Sequence, residues 1–148
     1  MATLDDVTRI GAGDHHLAVV ATVRADGSVQ ASLVNAGVID HPVTGARVVA
    51  FVNHGARKQA NLRARPRATL TFRNGWTWVT VEGPVQLVGP DDPLPGVDGE
   101  RLRVLLRDIF TAAGGTHDDW DTYDRVMRSE RRTAVFVDPA RVYSNPGS

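Results

Sequence analysis

From His16 to Val88 apolar and polar positions mostly alternate, which is the period of β-strands. His16 to Arg24 reads as a strand, and Asp26-Gly27 after it is a hairpin signal. The return strand runs from Val29 to Ile39 and stops at the turn-rich His41-Pro42-Val43-Thr44-Gly45. Arg47 to Asn53 is apolar at successive positions, so burial on both faces is expected. A short helix is predicted from Arg57 to Ala64, bounded by His54-Gly55 and by Arg65-Pro66. Arg67 to Arg73 alternates again, and Asn74-Gly75 is the strongest hairpin signal in the chain. Trp76 to Val88 returns as a long strand, with Gly83-Pro84 inside it marking a bulge or sheet corner.

Beyond the Pro- and Gly-rich Pro90 to Gly99 the period changes. Leu102, Leu105, Leu106, Ile109, Phe110 and Ala113 recur at helical spacing, with Asp98 placed to cap that helix. Gly114-Gly115 ends it. A further helix is predicted over 118–130, with Trp120, Tyr123, Val126 and Met127 inward. Arg132 to Asp138 makes a last strand, followed by a short tail at Val142-Tyr143. At the other end, Thr3 with Asp6 forms a capping pair for a short first helix. The expected fold is mainly β (α+β): about six antiparallel strands in a small barrel with flanking helices.

Composition narrows this to one domain over residues 1–148, since a chain of that length buries roughly 70% of its unfolded surface. Apolar content of 42% and charged content of 23% are ordinary for a globular protein. There is no cysteine, hence no disulfide, thiolate metal site or cysteine nucleophile. No signal-peptide pattern opens the chain and no apolar run is long enough to span a bilayer, so a cytoplasmic protein without membrane contact is expected.

Net charge is zero, yet the charge is segregated. No acid lies between Asp40 and Glu82, where Arg47, Arg57, Lys58, Arg63, Arg65, Arg67 and Arg73 fall. From Asp91 to Glu130 ten acids meet five arginines. A local positive field in a neutral chain points to an anionic small molecule rather than nucleic acid.

Lys58 is the sole lysine among seventeen basic residues. With Arg57 it stands at a predicted helix start, where cations are disfavoured by roughly 0.3–1 kcal/mol each. A bound anion would reverse that sign and use the free N–H groups of the first turn. Asn61 shares the helix face with both cations. The plainer reading is a solvated basic helix end, and spacing alone leaves the two about even.

The run Arg57-Lys58-x-x-Asn61-Leu62-Arg63-x-x-Pro66-Arg67-x-x-Leu70, after a strand ending Phe51-Val52-Asn53, carries a resemblance. So do Asp26-Gly27 before Ser32-Leu33-Val34-Asn35, the strand Trp76 to Gly83, and the closing Asp138-Pro139-Ala140-Arg141-Val142-Tyr143. Together they resemble the split β-barrel flavin- and deazaflavin-binding superfamily, which includes pyridoxamine 5'-phosphate oxidases and F420-dependent oxidoreductases. The resemblance implies an FMN-binding-like split barrel. Arg57 and Lys58 would grip a cofactor phosphate, and Ser32, Asn35, Val52 and Asn53 would line the ring and sugar-alcohol portion. Trp78 would border the ring or the phosphate arm; aromatic core packing is the simpler account of Trp76. The resemblance further implies a homodimer with the cofactor at the subunit interface.

The sequence ends soon after Tyr143, without the C-terminal segment that holds substrate in pyridoxamine phosphate oxidases. Vitamin B6 oxidation is therefore not expected. The short, Arg-rich pattern resembles the F420-dependent branch, with Arg63, Arg65 or Arg67 available to the anionic F420 tail. The expected activity is hydride transfer from reduced F420 to a small organic substrate. FMN is the alternative cofactor, and a non-catalytic F420-binding protein the alternative class. No proton donor stands out; among His15, His16, His54 and His117, His54 is best placed. Trp120 and Tyr123 could wall a substrate pocket, although core packing explains them as simply. Asp91-Asp92 and Asp118-Asp119 lack a third ligand at metal spacing, so no metal site is expected and solvation accounts for them.

Overall fold

A computed structural model describes residues 1–145. The elements are α1 (Leu4–Ala12), β1 (Leu17–Val23), β2 (Val29–Asn35), β3 (Gly37–Asp40), β4 (Arg47–Asn53), α2 (Ala56–Ala64), β5 (Arg67–Asn74) and β6 (Thr77–Val88). They continue with α3 (Gly99–Ala112), α4 (Trp120–Ser129), β7 (Thr133–Val137) and β8 (Arg141–Ser144). All strand pairings between them are antiparallel, in the order β2-β1-β5-β6-β7-β4-β3, with β8 also on β6. This is the split barrel that the sequence pattern and the resemblance predict.

Two cores explain the patterning. The inner one holds Val20, Phe51, Leu70, Phe72, Val81, Val135 and their neighbours, and receives Val7 and Ile10 from α1 and Leu62 from α2. The second lies where α3 and α4 cover the outside of β4 and β7, joining Val48, Ala50, Ala134 and Phe136 to Leu105, Leu106, Ile109 and Tyr123. Alternate residues of β4 therefore feed different cores, which is why that strand is apolar on both faces.

The described residues hold eight strands where about six are expected, for two reasons. The expected return strand 29–39 breaks at the fully buried Ala36, where the chain leaves its pairing with β1 and begins pairing with β4. The expected tail at Val142-Tyr143 is β8, hydrogen-bonded to β6 over Val79–Glu82. The corner at Gly83-Pro84 is real: β6 pairs with β5 up to Pro84 and with β7 from Val85. Gly83 is required there, because a Cβ would sit 1.9 Å from the Asp138 carbonyl oxygen.

Other expectations are corrected. Val126 is exposed rather than inward, and the buried polar residue of α4 is Asp124, held by Arg103 and Arg107. Trp76 is 95% exposed and belongs to no core, since the chain is still in the hairpin turn before β6 begins. Asp92 is paired with Arg63 and mostly buried rather than solvated, while Asp91 is half exposed and also pairs with Arg131. Asp119 accepts from the Thr122 N–H at 3.1 Å as the cap of α4. Among the described residues no helix is long and apolar enough to cross a membrane.

Candidate functional site

Strands β2 and β3 are the two ends of the sheet path, so the barrel stays open between β2 and β4. Over that opening lies a cavity of about 600 Å³. Val34 and Asn35 of β2, Val52 of β4 and Lys58 of α2 form its barrel side, and Phe110 and Tyr123 bring the helical layer across. Its size is within the ordinary range of small-molecule pockets, roughly 300–1,000 Å³. Among the described residues no carboxylate lines it.

The turn from β4 into α2 is built for exposure of backbone. Gly55 has φ +147°, a conformation side chains rarely adopt, and open space in front of it. It caps α2 without a side chain, and no acid stands in the first turn. The first N–H groups of the helix therefore have neither an intrahelical nor a side-chain acceptor. Asn53 fixes this turn by donating from Nδ2 to the Gly55 carbonyl at 3.0 Å. Gln59 anchors the far side of the helix, donating to Thr133 Oγ1 at 3.0 Å.

Lys58 is half-buried on the cavity wall, with its ammonium 5.6 Å from the Phe51 ring centre. Burial pushes its pKa below the ordinary 10.5, and among the described residues it has no carboxylate partner. Arg57 beside it is exposed and equally unpaired among the described residues. The other cations of the acid-free segment differ. Arg63 forms a two-pronged pair with Asp92, at 2.8 and 2.6 Å, and holds that carboxyl below its usual range. Arg65 donates to the Val23 carbonyl at 2.7 Å and to Asn61 at 3.1 Å.

The structure brings Asn35, Val52 and Lys58 onto one cavity. Ser32 and Asn53 lie next to lining residues, and each has a buried side-chain oxygen (Oγ and Oδ1) without a hydrogen-bond partner among the described residues. Asn61 faces elsewhere, donating to Gln30 Oε1 at 2.6 Å. Trp78 lies on β6, separated from β2 by β1 and β5, and packs edge-on against Tyr143 at 6.1 Å. His54 lines the cavity with Nδ1 3.3 Å from Glu130. Phe110, Met127 and Arg132 also line it. The sequence pattern places Phe110 and Met127 in the core and gives Arg132 no role beyond opening the last strand. No local signal marks them, because they reach the cavity only when α3 and α4 fold back over β4.

These residues fit a phosphorylated ligand with a polar middle: two unpaired cations, an open helix start, and orphaned oxygens alongside. A family model described as pyridoxamine 5'-phosphate oxidase matches residues 8–144. The chain belongs to the pyridoxamine 5'-phosphate oxidase family. Solved structures share its fold. An F420 reductase is 20% identical with a TM-score of 0.55, over 86% of this chain and 88% of that one. A pyridoxamine 5'-phosphate oxidase-related, FMN-binding protein of Nostoc punctiforme is 11% identical with a TM-score of 0.63, over 97% and 86%. A heme-binding protein of Mycobacterium smegmatis is 16% identical with a TM-score of 0.62; the match covers 99% of this chain and 55% of that one. Three ligands on one fold mean that family membership alone does not select the cofactor.

Proposed function

We propose that the cavity holds the phosphorylated deazaflavin F420 and that the chain is an F420-dependent reductase of a small organic substrate. Lys58 carries this reading. A half-buried ammonium without a counter-charge is costly, and an anionic phosphate beside it offsets the cost. Arg57 supplies a second charge, and the first-turn N–H groups of α2 supply donors. Ser32 Oγ and Asn53 Oδ1 are available to the hydroxyls of a sugar-alcohol chain. When bound and reduced, the cofactor supplies the hydride. The protein's part is to orient and to exclude water, with His54, whose Nδ1 lies 3.3 Å from Glu130, on the cavity wall.

FMN is the second reading, and one observation favours it. Arg63 and Arg65, offered by the sequence for the F420 tail, are already engaged by Asp92, Val23 and Asn61. Of the arginines in that run, Arg57 and Arg67 are without such partners among the described residues.

The site is completed, in this reading, by a second copy of the chain. The outer face of β1 and β2 exposes Val19, Val29 and Leu33, continuing towards Tyr143 on β8. Leu33 belongs both to that face and to the cavity wall. Leu33→Glu should convert a dimer into a monomer by sedimentation and weaken cofactor binding with it.

Titrating F420 and FMN into the purified protein separates the readings. F420 binding at micromolar or lower concentration, with turnover of an electron-poor substrate, is expected. No F420 binding at micromolar concentration sinks the proposal, and FMN binding alone transfers it to the second reading. Tight F420 binding with no turnover across enones and quinones would leave a carrier in place of an enzyme.

A further inference from the structure

Seventeen side chains of this protein are Lys or Arg, and all but Lys58 are guanidiniums. A guanidinium keeps its proton throughout the range in which proteins fold, so it is no nucleophile. Of the seventeen, Lys58 alone can offer a neutral amine, and its surroundings favour that form. It is half-buried on a cavity wall that also carries Val52, Ile109, Phe110 and Ala113, with the Phe51 ring centre 5.6 Å from Nζ. Among the described residues no carboxylate lines the cavity, and burial lowers the Lys58 pKa. The free amine is therefore more abundant here than on a solvated lysine.

The surroundings also select what reaches that amine. Arg57, the preceding residue, is exposed and unpaired among the described residues. An electrophile with a negatively charged end gains a charge-assisted contact there as it approaches Nζ, and a neutral one does not. An acyl phosphate meets both requirements. Its phosphate suits the guanidinium, and its acyl carbon is the centre that a neutral amine attacks.

We propose that Lys58 is an acylation site, that a small acyl phosphate supplies the acyl group, and that acylation switches off anion binding at this cavity. Nζ attacks the acyl carbon, and the C–N bond forms as the bond from that carbon to the phosphate oxygen breaks. Phosphate leaves with the electron pair and takes up the proton of the amine, so nothing is oxidised or reduced. A neutral amide then stands where the ammonium stood. The effect on cofactor binding rests on the reading that Lys58 faces a cofactor phosphate; the acylation itself does not.

Arg128 is exposed and without a partner among the described residues, so Arg128→Lys puts a solvated reference lysine into the same chain. The full chain with this change is treated with acetyl phosphate or with neutral p-nitrophenyl acetate, and acetylation at each lysine is followed by peptide mass spectrometry. Acetyl phosphate should favour Lys58 over position 128 by about tenfold, the yield of one charge-assisted contact. The neutral ester should show no such preference. Arg57→Gln should slow the reaction of Lys58 with acetyl phosphate several-fold and leave position 128 unchanged, and inorganic phosphate should protect Lys58 alone. Lys58 that reacts no faster than position 128, or a preference equal for both reagents, overturns the proposal. An unchanged rate in Arg57→Gln overturns the phosphate contact. The acetylated chain, like Lys58→Gln, should bind F420 at least about tenfold more weakly. Unchanged F420 affinity after acetylation overturns the switch. Unmodified protein that fails to bind F420 while Lys58 is acetylated selectively overturns the cofactor reading alone.

Discussion

Helices α2 and α4 both contribute to the cavity, but they begin in opposite ways. α4 starts with Asp119, whose carboxylate accepts from the Thr122 N–H, and Asp121 follows in its first turn. α3 is similar, with Asp98 accepting from the Arg101 N–H at 2.8 Å and Glu100 behind it. α2 has a glycine cap, no acid, and two cations where the macrodipole favours carboxylates. The first pattern closes a helix with its own side chains. The second leaves a helix waiting for something negative. A local rule broken in one helix and kept in its neighbours is what the proposed cofactor site requires.

Asp124 is 9% exposed and accepts from Arg107 at 2.9 and 2.5 Å and from Arg103 at 3.2 Å. Asp124→Ala strands the Arg107 guanidinium, whereas Arg103 keeps Glu100, and should cost about 2 kcal/mol in urea unfolding. F420 affinity should be preserved. The Arg107 guanidinium, helped by Arg103, holds this carboxyl below its usual 3.8. The folded carboxyl thus binds its proton at lower pH than the unfolded one. Its contribution is complete above pH 3.8 and is lost as the pH falls from there through the depressed folded value. The gap between wild type and Asp124→Asn should narrow in the same acid range.

Lys58→Ala should do the reverse. We expect about 1–3 kcal/mol less affinity for a phosphorylated cofactor. The melting temperature of the free protein should hold or rise, because a half-buried charge is removed. Unchanged affinity would return Lys58 to a solvated helix end. Asp98→Ala, the loss of an ordinary cap, should cost about 1 kcal/mol of stability and no affinity. The smallest and sharpest change is Ala56→Glu, at an exposed first-turn position. It makes α2 resemble its neighbours, so the free protein should gain about 0.5 kcal/mol while cofactor binding weakens. A variant that gains stability and keeps its affinity would refute the open-helix account.

Much of this was legible in the chain because the decisive signals are local. Asp26-Gly27, Asn74-Gly75, the Gly83-Pro84 corner and the caps Asp98 and Asp6 act within a few residues, and each lies where the pattern places it. What escaped depends on partners far along the sequence. β8 is a strand only because β6 offers it an edge, and Ala36 is a break only because β1 and β4 diverge there. Asp92 reads as solvated until Arg63 arrives from a distant segment. The site divides likewise: Lys58 announced itself by charge in the wrong place, whereas Phe110 and Arg132 look like any core ring and any surface cation.

The corner in β6 has a consequence for motion. One strand carries hydrogen bonds to β5 and β8 in its first part and to β7 in its second, so neither half-barrel can open without loosening the other. Amide protons along Val79–Val88 should accordingly be the slowest in the molecule to exchange with deuterated solvent, released only when the whole chain unfolds. Those of β2, at an end of the sheet path beside the cavity, should exchange by local opening and slow once a ligand is bound.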